Sequence, residues 1–497
     1  MVSSMNNRKN FISALILQTI AILQGLILPR LMISTFGSEI NGLVSSITQF
    51  LSFISLLEGG LGAVVLAELY SPLEKNDTFK TRDILSACQV FFNKLAISFI
   101  IFTCVLSVCY PLLTNSKLSY PFVCSLIWIL SISTLAQYLF SITNKLLLQA
   151  DQKIYIVNII SSIIIFINLI LAIIVIYVYP QIHIMKLVSS AIYLIQPIAF
   201  SFAVDKKYKI KHRVLRYSGN ALKNRWSGFA QNLAHFINMN TDIALITIFV
   251  GLKDVSVYTV YLLAINALRN LITNVANSYQ GALGKYNAEG NIEKLKAKFN
   301  QFETSFLCIS LILFLTCLLL INPFVQLYTK NVTDVNYYRP NFALIIVLAN
   351  LVYCIREPFR ILILALGKFK ETNFGSMMEA ILNFLISIIL LPKFGLLGVA
   401  IGTLCAISYR LLYFIQFLKR DVFQRPYRSY FKNSVLTLFI IVVNILCYYM
   451  IDLHIYSFGW FVLYGFVVII IESLIVISLL LGWKNVLSRA GSIFIRE

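Results

Sequence analysis

Long apolar stretches separated by short polar segments run along the whole chain. A stretch of about 20 apolar residues is long enough to cross the hydrocarbon core of a bilayer as a helix. The pattern therefore predicts an all-α integral membrane protein with about 14 transmembrane helices. Six spans form a first series: Phe11–Ser34, Asn41–Tyr70, Ile84–Tyr110, Phe122–Asn144, Ile154–Tyr179 and Leu187–Val204. Eight more follow: Trp226–Val250, Ser256–Leu283, Phe299–Ile321, Asn341–Leu366, Thr372–Leu391, Leu396–Leu418, Ser434–Ile451 and Trp460–Trp483.

Polar residues recur within the second span at every third or fourth position, which places them on one face of a helix. They are Ser45, Thr48, Gln49, Ser52, Ser55 and Glu58. Such a face must meet protein or water, because a lone charge in the middle of a membrane costs several kcal/mol. We expect the helix to loosen just below this face, at Gly59, Gly60 and Gly62.

The first half of the chain resembles the second at an offset of 214 residues. Gly37 then aligns with Gly251, and Ser52 with Asn266. Six spans in each half make this a parallel repeat, an architecture of transporters whose substrate site lies between the halves. We predict lobes over 1–205 and 226–420, a basic cytoplasmic connector over 206–225, and two additional helices with a tail over 421–497.

The second half carries matching polar faces on its first two spans. Gln231, Asn238 and Asp242 lie on one, and Asn266, Arg269 and Asn270 on the next. Four repeat-related polar faces predict a hydrated cavity between the lobes. For any single Ser or Thr, close packing with a neighbouring membrane helix is the alternative.

Composition supports the membrane assignment: 59% of the 497 residues are hydrophobic, 12% are charged, and the mean hydropathy is +0.82. The net charge is +20, and most of the basic residues fall in alternate loops. Because cytoplasmic loops are enriched in Lys and Arg, both termini are expected to be cytoplasmic. Basic loops at a membrane surface attract anionic lipids, so the charge gives no reason to expect nucleic acid.

Several cations remain inside the predicted spans. Lys94, Arg269 and Arg410 lie near mid-span, Arg30 lies near an outer end, and Arg356 and Arg360 are one turn apart. Long basic side chains near a helix end can reach the interface, which is the alternative for Arg30. Arg356 and Arg360 could instead pair with Glu357 or Glu379. Arg269 is the strongest binding candidate because it lies on the polar face of a predicted cavity helix.

No cofactor or metal site is expected. The nine cysteines are an odd number without Cys-x-x-Cys spacing, and no phosphate-binding loop or zinc spacing occurs. Asp242 and Glu58 could bind Na⁺ or H⁺ for coupling, but burial and pairing would explain them equally well.

The cations indicate the class of substrate. An unpaired sugar hydroxyl in hydrocarbon costs about 4 to 8 kcal/mol, and an anion costs more. Guanidinium groups bind phosphate bidentately, and polar side chains can replace water around a sugar. These features suit a lipid-linked glycan with a pyrophosphate head.

Three segments carry a resemblance to a known family: FGSEINGLVSSITQFLSFISLLEGGLGAVVLAELYSPLEKND, LLQADQK and KFGLLGVAIGT. They resemble bacterial polysaccharide repeat-unit flippases for O-antigen and capsule, the Wzx-type branch of the multidrug/oligosaccharidyl-lipid/polysaccharide exporter superfamily. The resemblance implies alternating-access transport of an undecaprenyl-pyrophosphate-linked oligosaccharide to the outer leaflet of the inner membrane. It also implies a polysaccharide polymerase and glycosyltransferases as pathway partners. Many members have twelve spans, so the last two helices depart from that pattern.

Two other functions are alternatives. An ion-coupled exporter of small drugs would share the architecture but would more naturally use an acidic cavity. A membrane polymerase or ligase would need catalytic residues in a sizeable outer loop, which this sequence lacks. We therefore expect a transporter and not an enzyme.

Overall fold

The computed structural model describes residues 2–58, 61–114, 118–208, 229–368, 370–423, 428–450, 453 and 455–480. Every regular element in these ranges is a helix, which confirms the predicted all-α fold. The chain divides into two compact units, Met1–Ser256 and Val257–Glu497. Most of the expected connector, and the tail beyond residue 480, lie outside the described residues.

The described residues of the first unit form nine α-helices and the start of a tenth. They are α1 (Val2–Phe36), α2 (Ser38–Ser52), α3 (Leu61–Glu74), α4 (Thr78–Leu113), α5 (Tyr120–Ala136), α6 (Ile142–Ala150), α7 (Ile154–Val178), α8 (Ile182–Tyr208) and α9 (Phe229–Phe249). Its core is made of aliphatic and aromatic side chains such as Leu43, Ile47, Phe92, Phe99 and Leu147.

The second unit begins within α10, and seven further α-helices follow in its described residues. They are α10 (Leu252–Ser278), α11 (Gln280–Ala288), α12 (Ile292–Tyr328), α13 (Pro340–Ala365), α14 (Asn373–Phe394), α15 (Leu396–Leu418), α16 (Arg428–Met450) and α17 (Phe458–Leu480). Its core lies along α12 and α13, where Phe299, Phe314, Leu318, Val347 and Leu351 are buried.

Twelve helical segments within the described residues are long and apolar enough to cross a membrane. The other two predicted spans correspond to α9 and α16. Their described stretches, Asn240–Phe249 and Ser434–Met450, are apolar but shorter. Each of the fourteen predicted spans therefore corresponds to helix in the structure.

Two glycines make the equivalent turns of the repeat. Gly37 joins α1 to α2 with a φ of 85°, and Gly251 joins α9 to α10 with a φ of 127°. Only glycine adopts such values readily, because it lacks a Cβ. The local structure at both positions agrees with the offset found in the sequence. The predicted domain bounds remain predictions, and α9 belongs to the first compact unit.

Helix geometry changes beside the polar face of α2. Residues Phe53–Glu58 form a 3₁₀-helix, and α3 begins at Leu61. Gly59 and Gly60 lie outside the described residues, and Gly62 lies inside α3. A π-helical turn, Gln137–Ser141, separates α5 from α6. Single π-turns inside helices are frequent at functional positions.

The LLQADQK segment forms a polar clasp at the turn between α6 and α7. Asp151 accepts hydrogen bonds from Lys153 and from the hydroxyl of Tyr208 at the end of α8. Burial raises the pKa of the Tyr208 phenol, and its hydrogen bond to Asp151 raises it further. The neutral phenol therefore remains a donor, and the clasp holds the ends of three helices together.

Candidate functional site

Two polar regions lie between packed helices, one within each unit. We call the first the arginine cluster, comprising Arg269, Arg356, Arg360 and Arg410 with Glu357 and Glu379. We call the second the polar seam. In it, Asn41, Ser46 and Gln49 of α2 bond to Ser256, Thr247 and Asn240, respectively. They differ in charge: the seam is neutral, and the cluster has four cations against two anions.

The buried part of the arginine cluster is organised around one carboxylate. Glu379 on α14 accepts from Arg356 Nη1 at 2.5 Å, and its other oxygen lies 3.7 Å from Arg410 Nε. Arg356 is 6% exposed and Arg410 is 3% exposed. Since an unpaired ion is costly inside a membrane, Glu379 is needed by both cations. It connects α13, α14 and α15.

The position of Arg410 depends on a glycine. Arg410 donates to the carbonyl oxygen of Thr372 at 2.9 Å and to Ser376 Oγ at 2.5 Å. A Cβ placed on Gly375 would lie 2.3 Å from Arg410 Nη1. Because Gly375 has no side chain, α14 leaves room for the guanidinium of Arg410.

Arg360 pairs within its own helix. Its Nε and Nη2 atoms donate to the carboxylate of Glu357, with Nη2 at 2.7 Å from Oε2. Glu357 is completely buried, whereas the side chain of Arg360 is 29% exposed. Nη2 also donates to Asn277 Oδ1 on α10 at 2.8 Å. Arg360 is thus anchored on one side and accessible on the other.

Arg269 has the weakest anchoring in the cluster. Its Nη1 lies 3.4 Å from Asn350 Oδ1, and its guanidinium carbon lies 5.4 Å from the centroid of the Tyr353 ring. Arg356 lies over the same ring at 4.6 Å. Among the described residues Arg269 makes no ion pair. It is half-buried and retains N–H donors for a further acceptor.

Pairing with a glutamate is the alternative that the sequence offers for Arg356 and Arg360, and the structure contains an ion pair for each. The bridging of Glu379 to Arg410 was missed, as were Asn350 and Tyr353. Tyr353 lies three residues before Arg356 on α13, so helical spacing could have placed the two side chains together. Of the neighbouring candidates, Asn266 is half-buried, with its buried Oδ1 unpaired within the described part of the chain, and Asn270 is exposed.

The polar seam joins α2 to α9 and to the start of α10. Asn41 Nδ2 donates to Ser256 Oγ at 2.8 Å, and Ser46 Oγ lies 2.7 Å from Thr247 Oγ1. The hydroxyl of Tyr110 also donates to Ser46, at 2.8 Å.

A close backbone contact accompanies the bonds of the seam. A Cβ placed on Gly42 would lie 1.8 Å from the carbonyl oxygen of Leu252. Only glycine allows this approach of α2 to the start of α10.

Towards the C-terminal end of the same face, Ser52 and Ser55 bond to the backbone of their own segment. Ser52 Oγ donates to the carbonyl oxygen of Gln49, and Ser55 Oγ to that of Ser52. Glu58 accepts from the hydroxyl of Tyr138 at 2.7 Å, where Tyr138 belongs to the π-helical turn. The hydrogen-bond partner of Glu58 in the structure is thus a phenol.

The remaining predicted residues of the first unit are dispersed. Lys94 is exposed on α4, Arg30 is half-buried on α1, and Asp242 is buried on α9. Gln231 and Asn238 belong to α9, but their side chains are not among those that the structure describes. No group of three or more potential metal-ligating side chains is found in the part of the chain searched.

Comparisons with known proteins identify the fold. No model of a known protein family matches the sequence, and no curated protein sequence matches it. A solved structure of the lipid II flippase MurJ in an inward closed conformation matches with a TM-score of 0.71 and 17% identity. The match covers 96% of this chain and 99% of that one.

Multidrug resistance transporters also share the fold. An inward-facing MATE family transporter of the MOP superfamily matches with a TM-score of 0.63 and 13% identity, covering 81% of this chain and 94% of that one. An outward-facing structure of a MATE family transporter matches at 0.57 and 14%, covering 83% and 95%. At these identities the comparisons show the fold: this chain is built like MurJ and the MATE transporters.

Proposed function

We propose that this protein transports an undecaprenyl-pyrophosphate-linked oligosaccharide repeat unit from the inner to the outer leaflet of the bacterial cytoplasmic membrane. One observation carries the proposal: the cluster has four arginines and two glutamates, in a fold shared with the lipid II flippase MurJ. The surplus of positive charge at membrane depth is unfavourable alone and is relieved by an anionic guest. A pyrophosphate head group supplies such a guest.

The four arginines have different roles in this proposal. Arg356 and Arg410 are buried, and both interact with Glu379, so they hold the site together. Arg269 and Arg360 are more accessible and contribute free N–H donors to phosphate oxygens. Polar side chains near them, including Asn266 and Asn270, would bond to sugar hydroxyls.

The membrane potential favours outward movement of such a substrate. A pyrophosphate diester carries two negative charges, and each gains about 2.3 kcal/mol per 100 mV on leaving a negative interior. The arginine cluster then lowers the barrier rather than supplying the driving force. Na⁺ or H⁺ coupling through Asp242 or Glu58 is an additional hypothesis.

Alternating access requires a region that can part and close again. The polar seam suits this role because its bonds join neutral groups, and each contributes only about 0.5–1.5 kcal/mol net when water can replace it. Opening would expose hydroxyls and amides, which water satisfies.

The likeness to MATE transporters favours a second candidate, an ion-coupled exporter of small molecules. A cationic drug would be repelled by the arginine cluster. The flippase therefore fits the charges better. In that role the protein would work with a glycan polymerase and glycosyltransferases in a multi-pass inner-membrane location with both termini cytoplasmic.

The test follows lipid-linked repeat units in cells that make the glycan. Depletion of the protein should trap them in the inner leaflet, and Arg269→Ala should retain them there at normal protein level. Lys330→Ala is the matched control, since Lys330 is an exposed cation outside the cluster. Normal outer-leaflet appearance after depletion would refute the flippase. Normal appearance of the repeat units in the outer leaflet with Arg269→Ala would refute the role of the arginine cluster but not the flippase itself.

A further inference from the structure

The two additional helices contain a carboxyl group that the proposed function does not use. Glu472 lies in the middle of α17 and is 3% exposed. It is the single charged residue of that helix. Around it, α17 presents large apolar side chains, among them Phe466, Ile470, Ile471 and Leu474.

The hydrogen-bond partner of Glu472 is a neutral amide. Asn444 on α16 is also 3% exposed, and its Nδ2 donates to Glu472 Oε2 at 3.5 Å. The same Nδ2 donates to the carbonyl oxygen of Ile440 at 3.2 Å. The buried Oδ1 of Asn444 has no hydrogen-bond partner within the described part of the chain. The amide therefore bonds to Glu472 through Nδ2, and its Oδ1 is left without a donor among the described residues.

In the described parts of α12 and α16, the helices that pack against α17, no charged residue lies level with Glu472. On α12, Phe324 packs against Phe461 and Leu320 against Gly465, so the antiparallel register brings Glu472 level with about Leu313. The last charged residue of α12, Glu303, is ten residues earlier, about 15 Å at 1.5 Å per residue. The titratable groups of α12 along this stretch are the thiols of Cys308 and Cys317.

The same holds for α16. Its charged residues are Arg428 and Lys432, and Lys432 is twelve residues before Asn444, about 18 Å along the helix. Cys447, Tyr448 and Tyr449 are its titratable groups nearest to Asn444. The hydroxyl of Tyr448 is already engaged, since it donates to the carbonyl oxygen of Pro340 and accepts from Asn322.

We propose that Glu472 and Asn444 form a proton-binding site within the α16–α17 pair. A carboxylic acid and a primary amide are complementary: the acid O–H donates to Oδ1, and Nδ2–H donates to the second carboxyl oxygen. A single proton thus satisfies the unpaired Oδ1 and removes a charge from an apolar environment, where it would be costly. The proton joins the two helices, and its loss on hydration would separate them.

This site is independent of the arginine cluster, and its ligand is H⁺ rather than the transported anion. It gives the two additional helices a state that depends on whether Glu472 is screened from water. Movement that opens α17 away from α16 would release one proton, and closure would take one up.

Infrared difference spectroscopy on the full chain in lipid vesicles tests the proposal. The spectrum of wild type minus Glu472→Gln at neutral pH should contain the carbonyl stretch of a protonated carboxylic acid. Asn444→Leu should shift this band to the higher frequency of an unbonded acid. Glu371→Gln is the matched control, because Glu371 is exposed and should give carboxylate bands only.

The opposite result is an ionised Glu472. Carboxylate bands in the spectrum of wild type minus Glu472→Gln would show that Glu472 is ionised and would overturn the proposal. Glu472→Gln replaces the acid with a neutral carboxamide that can still bond to Asn444, so the variant should fold. A protonated band that Asn444→Leu leaves unchanged would also contradict the acid–amide pair.

Discussion

The arginine cluster and the polar seam are both polar regions inside helices, but they respond differently to being opened. The cluster is held by ion pairs around two buried glutamates, and losing one partner leaves an uncompensated charge. The seam is held by hydroxyl and amide groups that water can satisfy. The difference is that the cluster of the second unit depends on its ion pairs, whereas the bonds of the seam in the first unit can be exchanged for bonds to water.

The largest effect should follow removal of the carboxylate that both buried arginines share. Glu379→Ala leaves Arg356 and Arg410 without their common partner, which should lower the free energy of unfolding by about 3–5 kcal/mol. Thermal unfolding of the purified protein measures it. Glu371→Ala, an exposed carboxylate one residue before α14's N-cap, is the control. A loss below about 1 kcal/mol, the size expected of a surface ion pair, would mean that the cluster is not a linked network.

A smaller effect is expected from filling the close contact of the seam. Gly42→Ala puts a methyl group 1.8 Å from the carbonyl oxygen of Leu252, so α2 and α10 must move apart. Overpacking of this kind costs about 1–3 kcal/mol. Gly25→Ala is the matched control, because a Cβ there has no neighbour within 4 Å. Equal stability of the two variants would show that the seam is not closely packed.

The smallest effect concerns a single neutral bond of the seam. A double-mutant cycle of Asn41→Ala and Ser256→Ala should give a coupling of about 0.5–1.5 kcal/mol. Ser98→Ala, which removes a hydroxyl bonded only to its own helix, corrects for the loss of a serine. A coupling as large as that of a buried ion pair would remove the distinction between the two regions.

Much of the fold follows from local pattern. Apolar length predicted the spans, and the offset of the repeat predicted that Gly37 and Gly251 occupy equivalent turns, which their positive φ values bear out. Pairing with Glu357 was one alternative for Arg360, and it occurs because residues three apart on a helix share a face. These features depend on neighbours in sequence.

What pattern could not reveal depends on distant parts of the chain. Arg410 reaches Thr372 and Ser376 from 38 and 34 residues away, so no spacing rule connects them. Tyr138 reaches Glu58 from a π-helical turn that nothing in the local sequence indicates. The functional roles of the predicted site residues, from Lys94 and Arg30 to Asp242, remain predictions.

The central claim is that the arginine cluster recognises a lipid-linked anion, and transport by purified protein in vesicles tests it most directly. We expect wild type and Lys330→Ala to bring a pyrophosphate-linked oligosaccharide lipid to the outer leaflet at similar rates. The double variant Arg269→Ala, Arg360→Ala should be slower by about tenfold or more, because two charge-assisted contacts are lost at 1.4 kcal/mol or more in total. An undiminished rate in the folded double variant would contradict the account.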